Sequence, residues 1–264
     1  MASVSVLVLN FNELSVSRDS VRRLLKEPEV TQVVVCDNGS SDGSKEYFRS
    51  IDNPKFNFVD LPENLGPSVG RNRGIERCDE DLIFLIDGDI LYVPGTIETY
   101  QEILAHYPDA FCVGQNSFEM ILEMGHNGTT NPIEADLRMS DDYVISDWFP
   151  MAWTQYGLFN GQLLREYKFI EDGAFGEKGW GFEDDDYYHQ MKQLGYVPLA
   201  VNKPIYYHEA HSGVKELIRT ESKDFFEQKM KERKKLFEKR WGKGAQWAQS
   251  LFDTSPEKTT RPRP

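Results

Sequence analysis

The stretch LIFLIDGDI, residues 82–90, joins five apolar residues to two carboxylates separated by a glycine. An apolar run of this length, rich in β-branched and aromatic residues, reads as a buried strand. With a period of two, Asp87 and Asp89 would project to one side of that strand, with Gly88 leaving room between them. Two like charges so placed repel unless a cation or hydrogen bonds compensate them. Hard oxygen ligands of this kind suit Mg2+ or Mn2+.

Upstream, VSVLVL (4–9) and TQVVVC (31–36) read as further buried strands, separated by a helical stretch near 15–26, and a third strand is expected near 56–60. Helical patterns near 43–50, 67–77 and 94–106 lie between or after these strands, and 110–114 reads as the fifth. Alternation with short connections predicts an α/β fold: a mostly parallel central sheet with helices on both faces. Residues 115–150 show no firm period. Regularity returns with a helix near 183–194 and strands near 197–201 and 204–208.

In such a sheet, ligands lie beyond the carboxyl ends of the strands. Those ends are polar or acidic throughout: Asn10, Phe11, Asn12 and Glu13 after the first strand; Asp37 to Asp42 after the second; Asp87, Gly88 and Asp89 after the fourth. In CDNGSSDGS (36–44) a carboxylate followed by small residues can grip a base or ribose, or can form an ordinary loop and helix cap. In ENLGPSVGRNRG (63–74) glycines recur every four residues, which differs from the GxGxxG dinucleotide pattern. Arg71 and Arg73 stand near a helix start, where the macrodipole disfavours cations. Anionic company such as a diphosphate is one reading; a helix packed through its glycines, with solvated arginines, is the other.

GWGFEDDDYYHQM (179–191) places four consecutive acids, Glu183 to Asp186, at a helix start, where the dipole favours them. The dipole explains some of the four, but not the run beside Trp180 and two glycines. An aromatic platform next to carboxylates can hold a sugar and deprotonate its hydroxyl. Finally, YYHEAHSG (206–213) carries His208 and His211, two of five histidines in the chain and candidates to complete a metal site.

Taken in order, these motifs resemble the inverting glycosyltransferases of family 2, with the GT-A, Rossmann-like fold, over about residues 4–213. GWGFEDDD is also similar to the ED box of β-1,4-galactosyltransferases. The resemblance implies that Asp37 contacts the nucleoside, with Asn10 and Asn12 beside it, and that Arg71 lies near the nucleotide or diphosphate. Asp87, with Gly88, would approach the ribose and metal, Asp89 would ligate the divalent ion (Mn2+ or Mg2+), and His208 would complete the set, ahead of His211. Asp184 aligns with the general base and Glu183 with its acidic neighbour, while Trp180 shapes a sugar site. The expected co-substrate is a nucleotide-diphosphate sugar, UDP-linked as the family's commonest case. The acceptor would be a saccharide or glycolipid. Rival readings are a silent nucleotide-sugar binder, a transferase acting on modified nucleic acid bases, and a metal-dependent phosphohydrolase.

The chain has 264 residues, 39% hydrophobic and 28% charged, the composition of a globular protein. No run approaches a membrane span, and the N-terminus lacks a signal-peptide pattern. Cys36, Cys78 and Cys112 form no CxxC pair, which argues against a disulfide scaffold or cysteine zinc site and for a reducing, cytoplasmic setting. The net charge is −13, yet residues 215–264 hold 14 Lys/Arg against 8 Asp/Glu. The expected organisation is a catalytic domain over 1–213 (nucleotide-sugar half 1–114, acceptor half 115–213), a basic amphipathic helical extension over 214–252, and a flexible tail over 253–264. The helix can dock its apolar stripe and solvate its charges, or meet a membrane surface or nucleic acid.

Overall fold

The computed structural model describes residues 2–115, 145–146, 155–178, 181–201, 207–208, 218–243, 245 and 260–261. The first half alternates as expected: β1 (Val4–Asn10), α1 (Leu14–Leu24), β2 (Val30–Asp37), α2 (Ser44–Arg49), β3 (Phe56–Asp60), α3 (Gly66–Ile75), β4 (Leu82–Asp87), β5 (Ile90–Leu91), α4 (Thr96–Ala105) and β6 (Ala110–Gln115). After β7 (Ile145–Ser146) come β8 (Tyr156–Asn160), α5 (Gly161–Glu166), a 3-10 turn (Gly173–Gly176), α6 (Glu183–Gln193), β9 (Val197–Val201), β10 (Tyr207–His208), α7 (Lys223–Trp241) and β11 (Thr260–Arg261).

The main sheet runs β11-β7-β9-β6-β8-β4-β1-β2-β3. Strands β3, β2, β1 and β4 are mutually parallel. Beyond them the sheet is mixed, because β8 lies antiparallel between β4 and β6. Sequence periodicity overlooked β8: YGLFN is short and interrupted by glycine, and its closing Asn160–Gly161 marks the cap of the next helix. The expected strand near 204–208 is described only as β10, which leaves the main sheet and pairs antiparallel with β5. Of the tail, only Thr260–Arg261 is described, paired with Ser146 and Ile145.

Of the parallel strands, β1, β2 and β4 are buried on both faces, while β3 at the sheet edge is half-exposed. Val4, Val6 and Val8 of β1 pack with Val33, Val35, Phe84 and Ile86 beneath α1 and α4. Leu7 faces the other way with Val34, Cys36, Ile83 and Leu85, covered by residues of α3, α5 and α6. Each such aliphatic side chain contributes about 1.5–3 kcal/mol when withdrawn from water. The three cysteines are buried and unpaired, and burial pushes the thiols of Cys36 and Cys78 up to about 12.

The four-residue glycine spacing has a packing cause. Gly70 and Gly74 share one face of α3, against Leu9 and Leu7 of β1. A Cβ at position 74 would overlap the Leu7 side chain. This close approach seats the neighbouring Arg71 in the interior, 3% exposed, instead of in solvent.

A third, smaller cluster joins Ile170, Phe175 and Phe182 to Phe237 of α7, with Met230, Leu236 and Trp241 around it. Helix α7 therefore docks its apolar stripe on the segment from Ile170 to Phe182.

Candidate active site

Strand order reverses beside β1: the chain proceeds outward through β2 and β3, then crosses back to place β4 on the opposite side. The crevice at such a switch point is where α/β sheets bind ligands. Register brings the strand ends level, with Asn10 opposite Asp37 and Leu9 opposite Asp87.

On the β1–β2 side, Asn10 Nδ2 donates to Asp37 Oδ2 at 2.8 Å and to Ser40 Oγ at 3.2 Å. The Ser40 amide donates to Asp37 Oδ1 at 2.8 Å, and the Asn12 amide to Ser40 Oγ at 2.9 Å. Asn12, in the left-handed region at φ 57°, accepts from the Ser41 amide at 2.7 Å. Asp37 is fully buried and fastens its loop, and Asp42 accepts from the amides of Ser44 and Leu14, which is the loop-and-cap reading of CDNGSSDGS. Asn10 Oδ1 is buried without a hydrogen-bond partner.

On the β4 side the strand stops at Asp87, and Gly88–Asp89 form a turn. The period-two argument for Asp87 and Asp89 is therefore corrected: the backbone turns between them. Gly88 makes room for Asn10, not for the carboxylates; a Cβ there would lie 2.9 Å from Asn10 Oδ1 and 3.1 Å from the Leu9 carbonyl. The turn leads into β5, where His208 is the backbone partner of Ile90, the residue after Asp89. The backbone of His208 thus lies opposite the residue one along the chain from Asp89. His211 and Trp180 lie outside the described residues.

The compensating cation for Asp87 is Arg71. Its Nη2 lies 3.1 Å from Asp87 Oδ1, and its Nη1 lies 3.4 Å from Asp184 Oδ1 and 3.7 Å from Glu183 Oε1. Its guanidinium also sits 5.6 Å from the Phe169 ring centroid. Burial opposes the Arg71 charge, but Asp87, Asp184 and Glu183 outweigh it and hold the guanidinium still more firmly protonated. Read from sequence as a neighbour of the nucleotide or diphosphate, Arg71 has carboxylate partners here. It ties the end of β4 to the start of α6 and gathers Asp87, Glu183 and Asp184 around one charge. The next residue, Asn72, supports the same arrangement by exchanging hydrogen bonds with the backbone of Phe169 at 2.8 and 3.0 Å.

The four acids of α6 have different surroundings. Glu183 is buried and accepts from the Gly181 amide at 2.6 Å, reinforcing the left-handed turn at Phe182. Asp184 is the more accessible of the two carboxylates on Arg71, 23% exposed at its side chain against 7% for Glu183. Asp185 and Asp186 are buried, and Asp186 accepts from Trp241 Nε1 at 2.7 Å and from Gln190 Nε2 at 3.0 Å, with Arg240 at 3.3 Å. Trp241 also stacks on His189, their centroids 5.3 Å apart. Arg233, buried in the same helix, donates to the carbonyls of Ala174 and Glu177. Helix α7 is thereby bonded to the segment bearing the acids. Spacing alone could not reveal this tertiary role of Asp186, Arg233 and Trp241.

Burial raises the Asp186 carboxyl above its ordinary value, against hydrogen bonding from Trp241 and the charge of Arg240. A raised folded value means that the contribution to stability is fullest below the unfolded pKa and is lost as pH rises through the folded one. Asp186→Asn, which keeps an acceptor for Trp241 and removes this titration, is expected to cost under about 1 kcal/mol near neutrality. Asp186→Ala leaves the indole N–H without its partner and is expected to cost about 1–3 kcal/mol. Thermal denaturation of both variants checks the order.

The chain matches the model of the family described as "Glycosyl transferase family 2" over residues 5–160, and it belongs to that family. It is 33% identical over 96 residues to the "Succinoglycan biosynthesis protein ExoU" of Rhizobium meliloti (strain 1021), an alignment covering 36% of this chain and 28% of that protein. It is 29% identical over 93 residues to the "Poly-beta-1,6-N-acetyl-D-glucosamine synthase" of Staphylococcus aureus (strain COL), covering 34% and 23%. Among solved structures, it is similar to "Mannosyltransferase PcManGT from Pyrobaculum calidifontis in complex with GDP-Man and Mn2+", with TM-score 0.57, 15% identity, and 83% of this chain and 60% of that one covered. It is also similar to S. aureus TarS 1-349 in complex with UDP-GlcNAc, with TM-score 0.54, 14% identity, and 90% and 71% covered. The fold is GT-A, as the motif order implied. Among the described residues, no helix is long and apolar enough to cross a membrane.

Proposed function

We propose that the chain is a metal-dependent, inverting glycosyltransferase that moves a sugar from a nucleotide-diphosphate donor to an acceptor hydroxyl. The observation that carries this reading is the junction at Arg71, which joins the strand-end carboxylate Asp87 to the ED-box acid Asp184 beside the sheet's switch point. Membership of the family supplies the reaction class. The similarity of GWGFEDDD to the ED box of β-1,4-galactosyltransferases supports Asp184 as the base, and Trp180 is assigned to the sugar site on that ground.

The nucleoside would lie over the β1 and β2 ends, against Asn10, Asn12 and Asp37, where the unpartnered Asn10 Oδ1 offers an acceptor. Asp87, held by Arg71, would approach the ribose. Asp89 sits in a turn whose exit strand pairs with His208, and carboxylate plus imidazole is a donor chemistry that suits Mn2+, although among the described residues no three such ligands are gathered. Asp89 and His208 would hold the ion, with Asp87 nearby already supplied with a cation. An ion bound there supplies positive charge against the leaving diphosphate. Asp184, reachable from solvent, takes the proton of the acceptor hydroxyl as its oxygen attacks the anomeric carbon opposite the leaving group. One displacement inverts that centre. Glu183 holds the turn that aims Asp184.

The titles of two structural neighbours name GDP-Man with Mn2+ and UDP-GlcNAc, which supports a nucleotide sugar and a divalent ion as a class. We take UDP as the base and a saccharide or glycolipid as the acceptor, in keeping with the glycan products in the relatives' names. No such support exists for a nucleic acid acceptor. The test is release of nucleoside diphosphate from a panel of UDP- and GDP-sugars with Mn2+, Mg2+ or EDTA. Metal-dependent turnover of one donor is expected. Release of inorganic phosphate would instead favour a phosphohydrolase, and binding without turnover in the presence of acceptors a silent binder.

A further inference from the structure

Helix α7 carries eight Lys/Arg against four Asp/Glu, and the structure sorts them by face. Arg233 is buried, Lys229 pairs with Glu177 and Glu232, and Arg240 pairs with Asp186. The three glutamates of the helix are each matched to a lysine: Glu227 to Lys223, Glu232 to Lys229 and Glu238 to Lys234. That leaves Lys231, Lys235 and Lys239, continued by Lys243 beyond the helix end, all exposed and without an ion pair among the described residues. Lysines four apart are neighbours along one side of a helix, about 6 Å from each other along its axis, and like charges so spaced destabilise it. Here they sit on a chain whose residues 1–214 carry −19, so a cationic strip is kept apart on a strongly acidic protein.

We propose that this strip docks the protein electrostatically on an anionic lipid bilayer. The apolar residues of α7 beside the strip, Met230, Leu236, Phe237 and Trp241, are already packed on Phe182 and its neighbours, and Phe225 and Phe226 at the start of the helix are half-buried, so the strip offers charge and not an apolar face. The exposed residues of α7 include no aromatic ring on which a base could stack. The strip itself consists of lysines alone, flexible point charges suited to mobile headgroups rather than to forked recognition of one phosphate. Because the opposite face of α7 is bonded to α6, docking would fix the orientation of the site relative to the bilayer, with α7 between the two. The proposal requires no particular donor.

The experiment is co-sedimentation of the full chain with vesicles of phosphatidylcholine alone or mixed with phosphatidylglycerol, at low and high salt. The second protein is the variant Lys231→Gln, Lys235→Gln, Lys239→Gln, Lys243→Gln, all surface positions, whose folding is checked by its melting curve. Binding to the anionic vesicles only, abolished by high salt and at least about ten-fold weaker in the variant, is the expected result. Failure of the wild type to bind anionic vesicles, equal binding by the variant, or tighter binding to duplex DNA than to the vesicles in the same buffer would overturn it.

Discussion

Arg71→Met is expected to lower stability by about 3–5 kcal/mol, the cost of removing one partner from a buried ionic cluster. The substitution keeps much of the side-chain volume but strands Glu183 in the interior and leaves Asp87 and Asp184 facing it without their shared cation. Glu183, 5% exposed, is the group with least recourse to water. For a chain of this size the change corresponds to a fall in Tm on the order of 10 °C. Arg71→Lys should recover part of it, because an ammonium restores the charge but cannot reach Asp87 and Asp184 with separate nitrogens. Denaturant unfolding of both variants measures the effect. A loss below about 1 kcal/mol for Arg71→Met would mean that the carboxylates are compensated elsewhere and that Arg71 is not the junction described.

Asp184→Asn is expected to reduce sugar transfer by about 10²–10⁴-fold, the usual contribution of a positioned base, while donor affinity stays within about two-fold. Asparagine preserves the shape at the helix start and an oxygen for Arg71, so the loss falls on proton transfer. Glu183→Ala should act differently. Its carboxylate accepts from the Gly181 amide and is largely enclosed, so its removal is expected to loosen the turn and lower stability more than it slows chemistry. Initial rates and donor titrations on the two variants separate these roles. Near-normal turnover by Asp184→Asn would remove Asp184 from the mechanism.

Much of the fold was legible because its signal is local. The valine-rich runs of β1 and β2 and the LIFLI run of β4 are buried on both faces, so an uninterrupted apolar stretch bounded by polar residues was enough to find them. Strand β8 was not legible: its five residues enter the sheet antiparallel between β4 and β6, a placement set by tertiary packing. The same division holds at the site. Asn10, Asp37 and Asp87 could be singled out because they follow strands, and the structure sets Asn10 level with Asp37 and next to the end of β4. The destination of Arg71 could not be read, since its carboxylates lie 16 and 113 residues away in sequence and meet only when α3 presses its glycines on β1. Within the acidic run 183–186 the tertiary partners could not be read: Asp184 faces Arg71 from an accessible position, and Asp186 anchors Trp241. For the basic segment, the docked helix is the arrangement found, with its lysine strip left outward.

The central claim, that the crevice between β1 and β4 holds a nucleotide through a metal, is tested most directly by calorimetric titration of UDP and GDP into the folded protein, with Mn2+ and with EDTA. The account predicts saturable one-to-one binding of UDP that requires Mn2+ and is lost in Asp89→Ala while that variant keeps its melting curve. Absence of binding by either nucleotide in Mn2+, or binding that is indifferent both to EDTA and to Asp89→Ala, would contradict it.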